Sequence, residues 1–410
     1  MTKYSTPLLS AFVVSALSMP AMAADASSVA EFFKKGDFGL DFRYRLENVD
    51  QAGLPQEATA STLRTKLWYK TATYEGFSAF GEFEVSKSIG KETYNNTING
   101  KVTRPVIADP ESTELNQAYL KYSRSGFTVK GGRMGINLDN QRFIGTVGWR
   151  QNDQTYDAAS FSYSLDKELT ATYVYVWNVN RIFSDDHPLG NLDTNSHIFN
   201  VSYSGLDFGK LTAYGYFLDM DDAPVFGLSS RTIGARFAGK AKVADGVKIS
   251  YEAEYANQAD YKSNPGDYSA SYVHVAAKGH MAGFILGAGY ELLGSDNGIS
   301  FKTPLATLHK FNGFADKFLG TPAAGLQDIY AVAAYKVAKD SGVLSGLLIK
   351  VWYHDFSADA GGADYGSEID WLIAKKFGKN YMVSLKGAHY DADGFATDTD
   401  KVWLTLGAKF

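Results

Sequence analysis

The chain has 410 residues with 45 acidic and 40 basic side chains, and its formal charge of −5 argues against the basic surface a nucleic-acid binder needs. Cysteine is absent, which removes disulfide frameworks, thiol catalysis and cysteine-based metal sites together. Aromatics reach 14%, with 26 Tyr and 26 Phe, while Gly stands at 40 and Pro at 10, a balance suited to many strands and interfacial aromatic girdles.

Residues 1–23 read as a secretory signal peptide. Lys3 supplies the positive start, Leu8 to Leu17 the apolar core, and Pro20 precedes the small-x-small site Ala21-Met22-Ala23. A barrel-forming region of residues 24–410 is then expected. No second segment approaches eighteen uninterrupted apolar residues, so helical spans are not expected. A soluble exported protein or a β-barrel remains. The lack of cysteine suits a chain that crosses an oxidising periplasm unfolded.

Period-two alternation predicts eighteen strands in chain order: 37–48, 61–73, 76–87, 114–124, 126–134, 155–164, 168–178, 195–205, 209–219, 229–240, 246–257, 270–279, 282–293, 327–338, 345–356, 366–377, 380–390 and 400–410. The first sets Phe38, Leu40, Phe42, Tyr44 and Leu46 against Asp41, Arg43, Arg45 and Glu47. The last sets Val402, Leu404, Leu406, Ala408 and Phe410 against Trp403, Thr405, Gly407 and Lys409. The strands near 126–134 and 168–178 alternate poorly.

The connections alternate long and short along the chain. Long ones fall near 49–60, 88–113, 135–154, 179–194, 220–228, 258–269, 294–326, 357–365 and 391–399. Tight turns fall near Glu75, Ser125, Asp166, Asp207, Asp245, His280, Asp340 and Gly378. A sandwich or propeller has no reason to sort its loops by parity. An outer-membrane antiparallel barrel does, with long extracellular loops, short periplasmic turns and an even strand count. Closure makes such a barrel a single domain.

The inward set read from the alternation is rich in charge: Arg43, Arg45, Arg64, Lys66, Glu82, Glu84, Lys121, Arg236, Glu252, Glu254, Lys350, Asp370 and Lys386. Charged rings in an aqueous pore select solutes, and guanidinium groups suit carboxylates. The competing reading is a paired ladder in which Glu82 and Glu84 neutralise Arg43, Arg45, Arg64 and Lys66. The loop 135–154 mixes Asp139, Arg142 and Arg150 with Phe143, Ile144 and Trp149. It is expected either to constrict the pore against the inner wall or to cover its neighbours at the rim.

The stretches Phe42-Arg43-Tyr44-Arg45-Leu46-Glu47, Ser61-Thr62-Leu63-Arg64-Thr65-Lys66-Leu67 and Asn116-Gln117-Ala118-Tyr119-Leu120 carry a resemblance. So do Gly132-Arg133 through Asp157 and Asn180-Arg181-Ile182-Phe183. With them the chain resembles the alginate-export family of outer-membrane porins. The resemblance implies an eighteen-stranded monomer with an arginine-rich constriction for an anionic uronate polymer. It makes Arg43, Arg45, Arg64, Arg133, Arg142 and Arg150 pore-lining candidates; Lys66, Glu82, Glu84 and Arg236 join them from the alternation alone.

The expected function is passive diffusion of small anionic or sugar-like solutes, with polysaccharide export as one alternative and a receptor or structural barrel as another. Expected partners are outer-membrane lipid and lipopolysaccharide, the solute, and the barrel-assembly machinery through the strand ending at Phe410. No cofactor or metal is expected, and the acidic loops Asp219–Asp222 and 391–400 read as solvated. An enzyme reading rests on His354-Asp355, an adjacent His–acid pair, which does not specify a nucleophile, base and orienting group.

Overall fold

The computed structural model describes residues 25–410, and the predicted signal segment lies outside them. A short helix, α1 (Val29–Lys34), leads into the first strand. The strands in chain order are β1 (Asp37–Gln51), β2 (Ala58–Lys70), β3 (Phe77–Ser88), β4 (Ser112–Arg124), β5 (Phe127–Met134), β6 (Thr155–Ser164) and β7 (Leu169–Asn180). They continue as β8 (Asn191–Leu206), β9 (Gly209–Leu218), β10 (Ser230–Ala244), β11 (Val247–Asp260), β12 (Ser269–Met281) and β13 (Phe284–Leu293). A small hairpin, β14 (Ser295–Asp296) and β15 (Ile299–Ser300), lies in the loop that follows. The set ends with β16 (Leu326–Lys336), β17 (Leu348–Ser357), β18 (Asp364–Phe377), β19 (Tyr381–Asp391) and β20 (Thr399–Lys409).

All but the small hairpin form one eighteen-stranded antiparallel sheet that closes on itself. Closure is made by β1 on β20, from Asp41 opposite Lys409 to Gln51 opposite Thr399. The Phe410 and Leu40 backbones exchange hydrogen bonds of 2.9 Å in both directions at the seam. A closed sheet leaves no unpaired edge, the condition for strands in lipid.

Every predicted strand is present, including the two with weak alternation. Outward positions carry exposed apolar side chains such as Phe38, Leu67, Phe83, Leu120, Phe161, Val275, Leu286 and Leu406. Inward positions of β1 are buried and polar: Asp41, Arg43, Arg45 and Glu47. Three two-residue turns at one end, Glu75-Gly76, Ser125-Gly126 and Ala282-Gly283, place both central residues at positive φ. That geometry matches the right-handed strand twist, and glycine adopts it without a Cβ penalty. One connection at this end is longer than expected: residues 337–347 carry a 3₁₀ turn, Gly342–Leu344.

Candidate functional site

The interior is shaped by two long loops that enter it from the other end. In the loop between β5 and β6, Ile144 forms a parallel bridge with Leu305 of the loop between β13 and β16. The Gly145 amide donates to the Leu305 carbonyl at 2.8 Å. Phe143 packs against Tyr214, Tyr272 and Phe301 with ring centroids 5.1–5.7 Å apart. The loop 135–154 is therefore a wall-packed element inside the barrel, the first of the two alternatives left open by its composition.

The basic cluster predicted on β1 and β2 holds that loop. Arg43 donates to Gln151 Oε1 at 2.9 Å, to the Gly148 carbonyl at 2.7 Å and to the Arg150 carbonyl. Lys66 reaches Asp153 at 2.5 Å, Glu84 at 2.9 Å and Glu82 at 3.4 Å. Arg64 pairs with Asp41 at 3.1 Å and Asp153 at 3.5 Å. Arg45 lies 4.0 Å above the Trp149 ring and 3.9 Å from Asp109, with two of its guanidinium nitrogens lacking a hydrogen-bond acceptor. From the loop, Arg150 meets Glu47 at 3.2 Å, Asp316 at 3.3 Å and Asp109 at 3.6 Å. Those three carboxylates outweigh its burial and hold its guanidinium above its ordinary range.

The second loop docks through backbone as well as side chains. Asn312 and Gly313 are both left-handed, at φ 54° and 84°. This turns two successive amides toward the wall: Phe314 donates to Asp370 Oδ2 at 3.1 Å and Ala315 to Glu368 Oε1 at 2.7 Å. Successive N–H groups in this conformation form an anion-binding nest, here filled by the barrel's own carboxylates. His309 stacks on Trp149 at 4.1 Å with an 11° interplanar angle. Its Nδ1–H donates to Asp316 at 2.6 Å and its Nε2 accepts from Lys386, the tautomer being assigned from those partners. Burial pushes the imidazole well below its usual range. His309, Lys401 and Arg150 hold the Asp316 carboxyl well below its own.

Most predicted site residues thus converge on loop docking. Arg142 pairs with Glu291 at 2.9 Å and donates to Asn312 at 2.9 Å. Glu82 accepts from Asn116 at 2.8 Å and Gln117 at 3.0 Å. Arg236 pairs with Glu252 and, at 3.3 Å, with Glu254. Arg133 departs from its pore-lining assignment. Its neighbour Met134 is buried, whereas Arg133 itself is forked onto Asp157 at 2.8 and 3.1 Å on the outward side, near the long-loop rim. His354 pairs with Asp328 at 2.9 Å and not with its chain neighbour Asp355, which alternation puts on the other face.

What the sequence reading did not assemble is a set of lysines on the inner wall toward the short-turn end. Lys121 and Lys130 are direct cross-strand neighbours. Lys248 stands between Lys242 and His280 in register. Lys278 lies opposite Gly287, and Lys350 covers the Trp352 ring at 4.1 Å. Among the described residues no carboxylate lies within ion-pair distance of Lys121, Lys130, Lys248, Lys278 or Lys350. Strand parity could have placed most of them inside; finding that Lys121 faces Lys130 and that Lys248 faces Lys242 needed the register.

A family model described as alginate export matches residues 34–296. No curated protein matches the chain. Among solved structures the barrel is similar to Acinetobacter baumannii OccAB2, at 15% identity and TM-score 0.73, covering 93% of this chain and 99% of that one. It is also similar to Acinetobacter baumannii OccAB4, at 12% identity and TM-score 0.71, covering 92% and 98%. Pseudomonas aeruginosa OpdK, solved with vanillate, matches at 16% identity and TM-score 0.71, covering 92% and 99%. These likenesses establish the fold. With the family match spanning well over half its length, the chain belongs to the alginate-export family of outer-membrane β-barrels.

Proposed function

We propose that this barrel is an outer-membrane channel for passive diffusion of small anionic solutes, with lysines on the short-turn half of the lumen supplying the preference. The observation that carries the reading is the facing pair Lys121 and Lys130, joined by Lys248, Lys278 and Lys350, on a wall where they lack acidic partners. Like charges directly opposite across two strands are destabilising unless something neutralises them. A lumen that holds such pairs attracts mobile anions in proportion. Arg43, Arg64 and Lys66 play a different part, because their charge is spent on carbonyls and the Asp153 carboxylate of the loop 135–154.

Vanillate in the OpdK structure, a carboxylate solute in a barrel of the same fold, agrees in chemistry with this reading. Export of an acidic polysaccharide is the second reading, favoured by the family's description. Two loops docked across the lumen leave less room for a polymer than for a small acid. The test is reversal potential in a salt gradient across a planar bilayer. Anion preference that drops in Lys278→Gln/Lys350→Gln supports the lysine track; cation preference in the wild type overturns it.

A further inference from the structure

Below the docked loop, β2, β3 and β4 place three aromatic rings side by side on the inner wall. Trp68 and Phe80 have centroids 6.2 Å apart with 26° between planes, and Phe80 and Tyr119 are 5.4 Å apart at 29°. The lipid-facing side of these strands carries its own apolar set, Phe77, Phe83 and Leu120, so these three rings are not part of the outer belt. All three remain partly exposed inside the barrel. Gln117, two residues from Tyr119 on β4, takes the Gly135 amide of the docked loop at 2.9 Å, so the strip begins where that loop ends.

The strip runs into the lysine pair. Lys130 Nζ stands 5.4 Å above the Tyr119 ring. Lys121 lies one two-residue step beyond Tyr119 on the same face, directly opposite Lys130. The other cross-strand neighbours of the two lysines are Ser78 and Ser160, which bring no charge. Glu82, the carboxylate nearest along the face, is engaged by Lys66, Asn116 and Gln117. Two ammonium groups thus face each other beside an apolar strip, one strand step, about 6–7 Å, from its end.

We infer that Trp68, Phe80, Tyr119, Lys121 and Lys130 form a subsite for a ring-bearing monocarboxylate. The carboxylate would sit between the two lysines and the ring against the aromatic strip. The inference deepens the anion-channel reading and rests on it for the solute's route, but not for binding itself. Charge-assisted hydrogen bonds to both lysines fix the acid end. Burial of the ring separates this ligand from acetate, which offers the same charge without a body.

Calorimetry on the detergent-solubilised full barrel tests it without requiring conduction, using benzoate, glucuronate and acetate as probes. Either ring acid binding at least tenfold more tightly than acetate supports the subsite. Benzoate ahead of glucuronate identifies an aromatic ring, and the reverse order a uronate sugar. Lys121→Gln/Lys130→Gln and, separately, Phe80→Ala are each expected to weaken ring-acid binding about tenfold while heat-modifiable electrophoretic mobility shows the barrel intact. Equal binding of all three acids, or unchanged affinity in both variants, overturns the subsite. Binding that survives in a barrel without anion preference overturns the channel reading alone.

Discussion

Arg150→Met is the sharpest perturbation of the docked loop. The guanidinium bridges the loop to Glu47 and Asp109 and to Asp316 of the second loop, at 3.2, 3.6 and 3.3 Å. Its side chain is only 7% exposed, and those of Glu47, Asp109 and Asp316 only 0%, 0% and 4%. Methionine keeps much of the volume and removes the charge, leaving three buried carboxylates short of their common partner. Breaking a buried pair by removing one member costs about 3–5 kcal/mol. Arg45 at 3.9 Å from Asp109 and Lys401 at 3.0 Å from Asp316 offset part of this, so the lower end is expected. At about 1.4 kcal/mol per decade, about 3 kcal/mol shifts the docked-to-undocked ratio of loop 135–154 by about two orders of magnitude. The ladder hydrogen bonds of the barrel do not involve this side chain, so the barrel should persist. Single-channel recording of Arg150→Met should show larger or noisier conductance than wild type, with heat-modifiable mobility retained. Conductance and noise identical to wild type in an intact barrel would refute the assignment of Arg150 as the tie between the loops.

Other consequences are as direct. Gly313→Ala puts a Cβ about 2.3 Å from Glu368 Oε2 at a left-handed φ, which alone costs roughly 1–2 kcal/mol. Amide exchange at Phe314 and Ala315 should speed up at least tenfold, and unchanged protection would contradict the nest. Burial pushes Lys310 and Lys317 down to about 8. Both are charged below that value and lose charge as pH rises through it, so anion preference should fall between pH 7 and 9 with a midpoint near 8. A flat profile over that range would show that these two lysines of the loop between β13 and β16 add nothing to the preference set by the wall lysines. Asp153→Asn strips Lys66 and Arg64 of a shared carboxylate at 2.5 and 3.5 Å. It should free positive charge at the loop base and raise anion preference; a decrease would show that Asp153 acts otherwise.

The barrel was legible because lipid and water impose opposite demands on alternate residues, and because loop length sorts by parity when all turns of one kind lie at one end. Arg43, Arg64 and Lys66 face inward as that alternation expects, and the paired-ladder alternative anticipated the Glu82 and Glu84 partners of Lys66 on β3. What their other partners would be was not legible. Arg43 binds Gly148 and Gln151, more than a hundred residues along the chain, and no period links a strand to a loop docked on it. Arg133 was misassigned because it was placed by motif resemblance on the weakly patterned strand β5, where Gly131-Gly132 interrupts the alternation. Gly132 sits at φ 125°, with the Ala118 carbonyl too close for any side chain. Lys121 belongs to a strand that parity describes and Lys130 to one that it describes poorly, and their confrontation depends on the register set across the Ser125-Gly126 turn. The apolar residues of loop 135–154 did announce a packed loop, and Phe143 and Trp149 fulfil that against rings of β9, β12 and β20.

An anion preference set by lysines on the short-turn half of the lumen has a direct electrical signature. The most direct measurement is the reversal potential of the wild type against a Lys121→Gln/Lys130→Gln/Lys278→Gln/Lys350→Gln variant under a tenfold potassium chloride gradient. Chloride preference is expected in the wild type and a shift toward zero selectivity in the variant, with conductance retained. A wild type that conducts cations preferentially, or a variant with unaltered chloride preference, would contradict it.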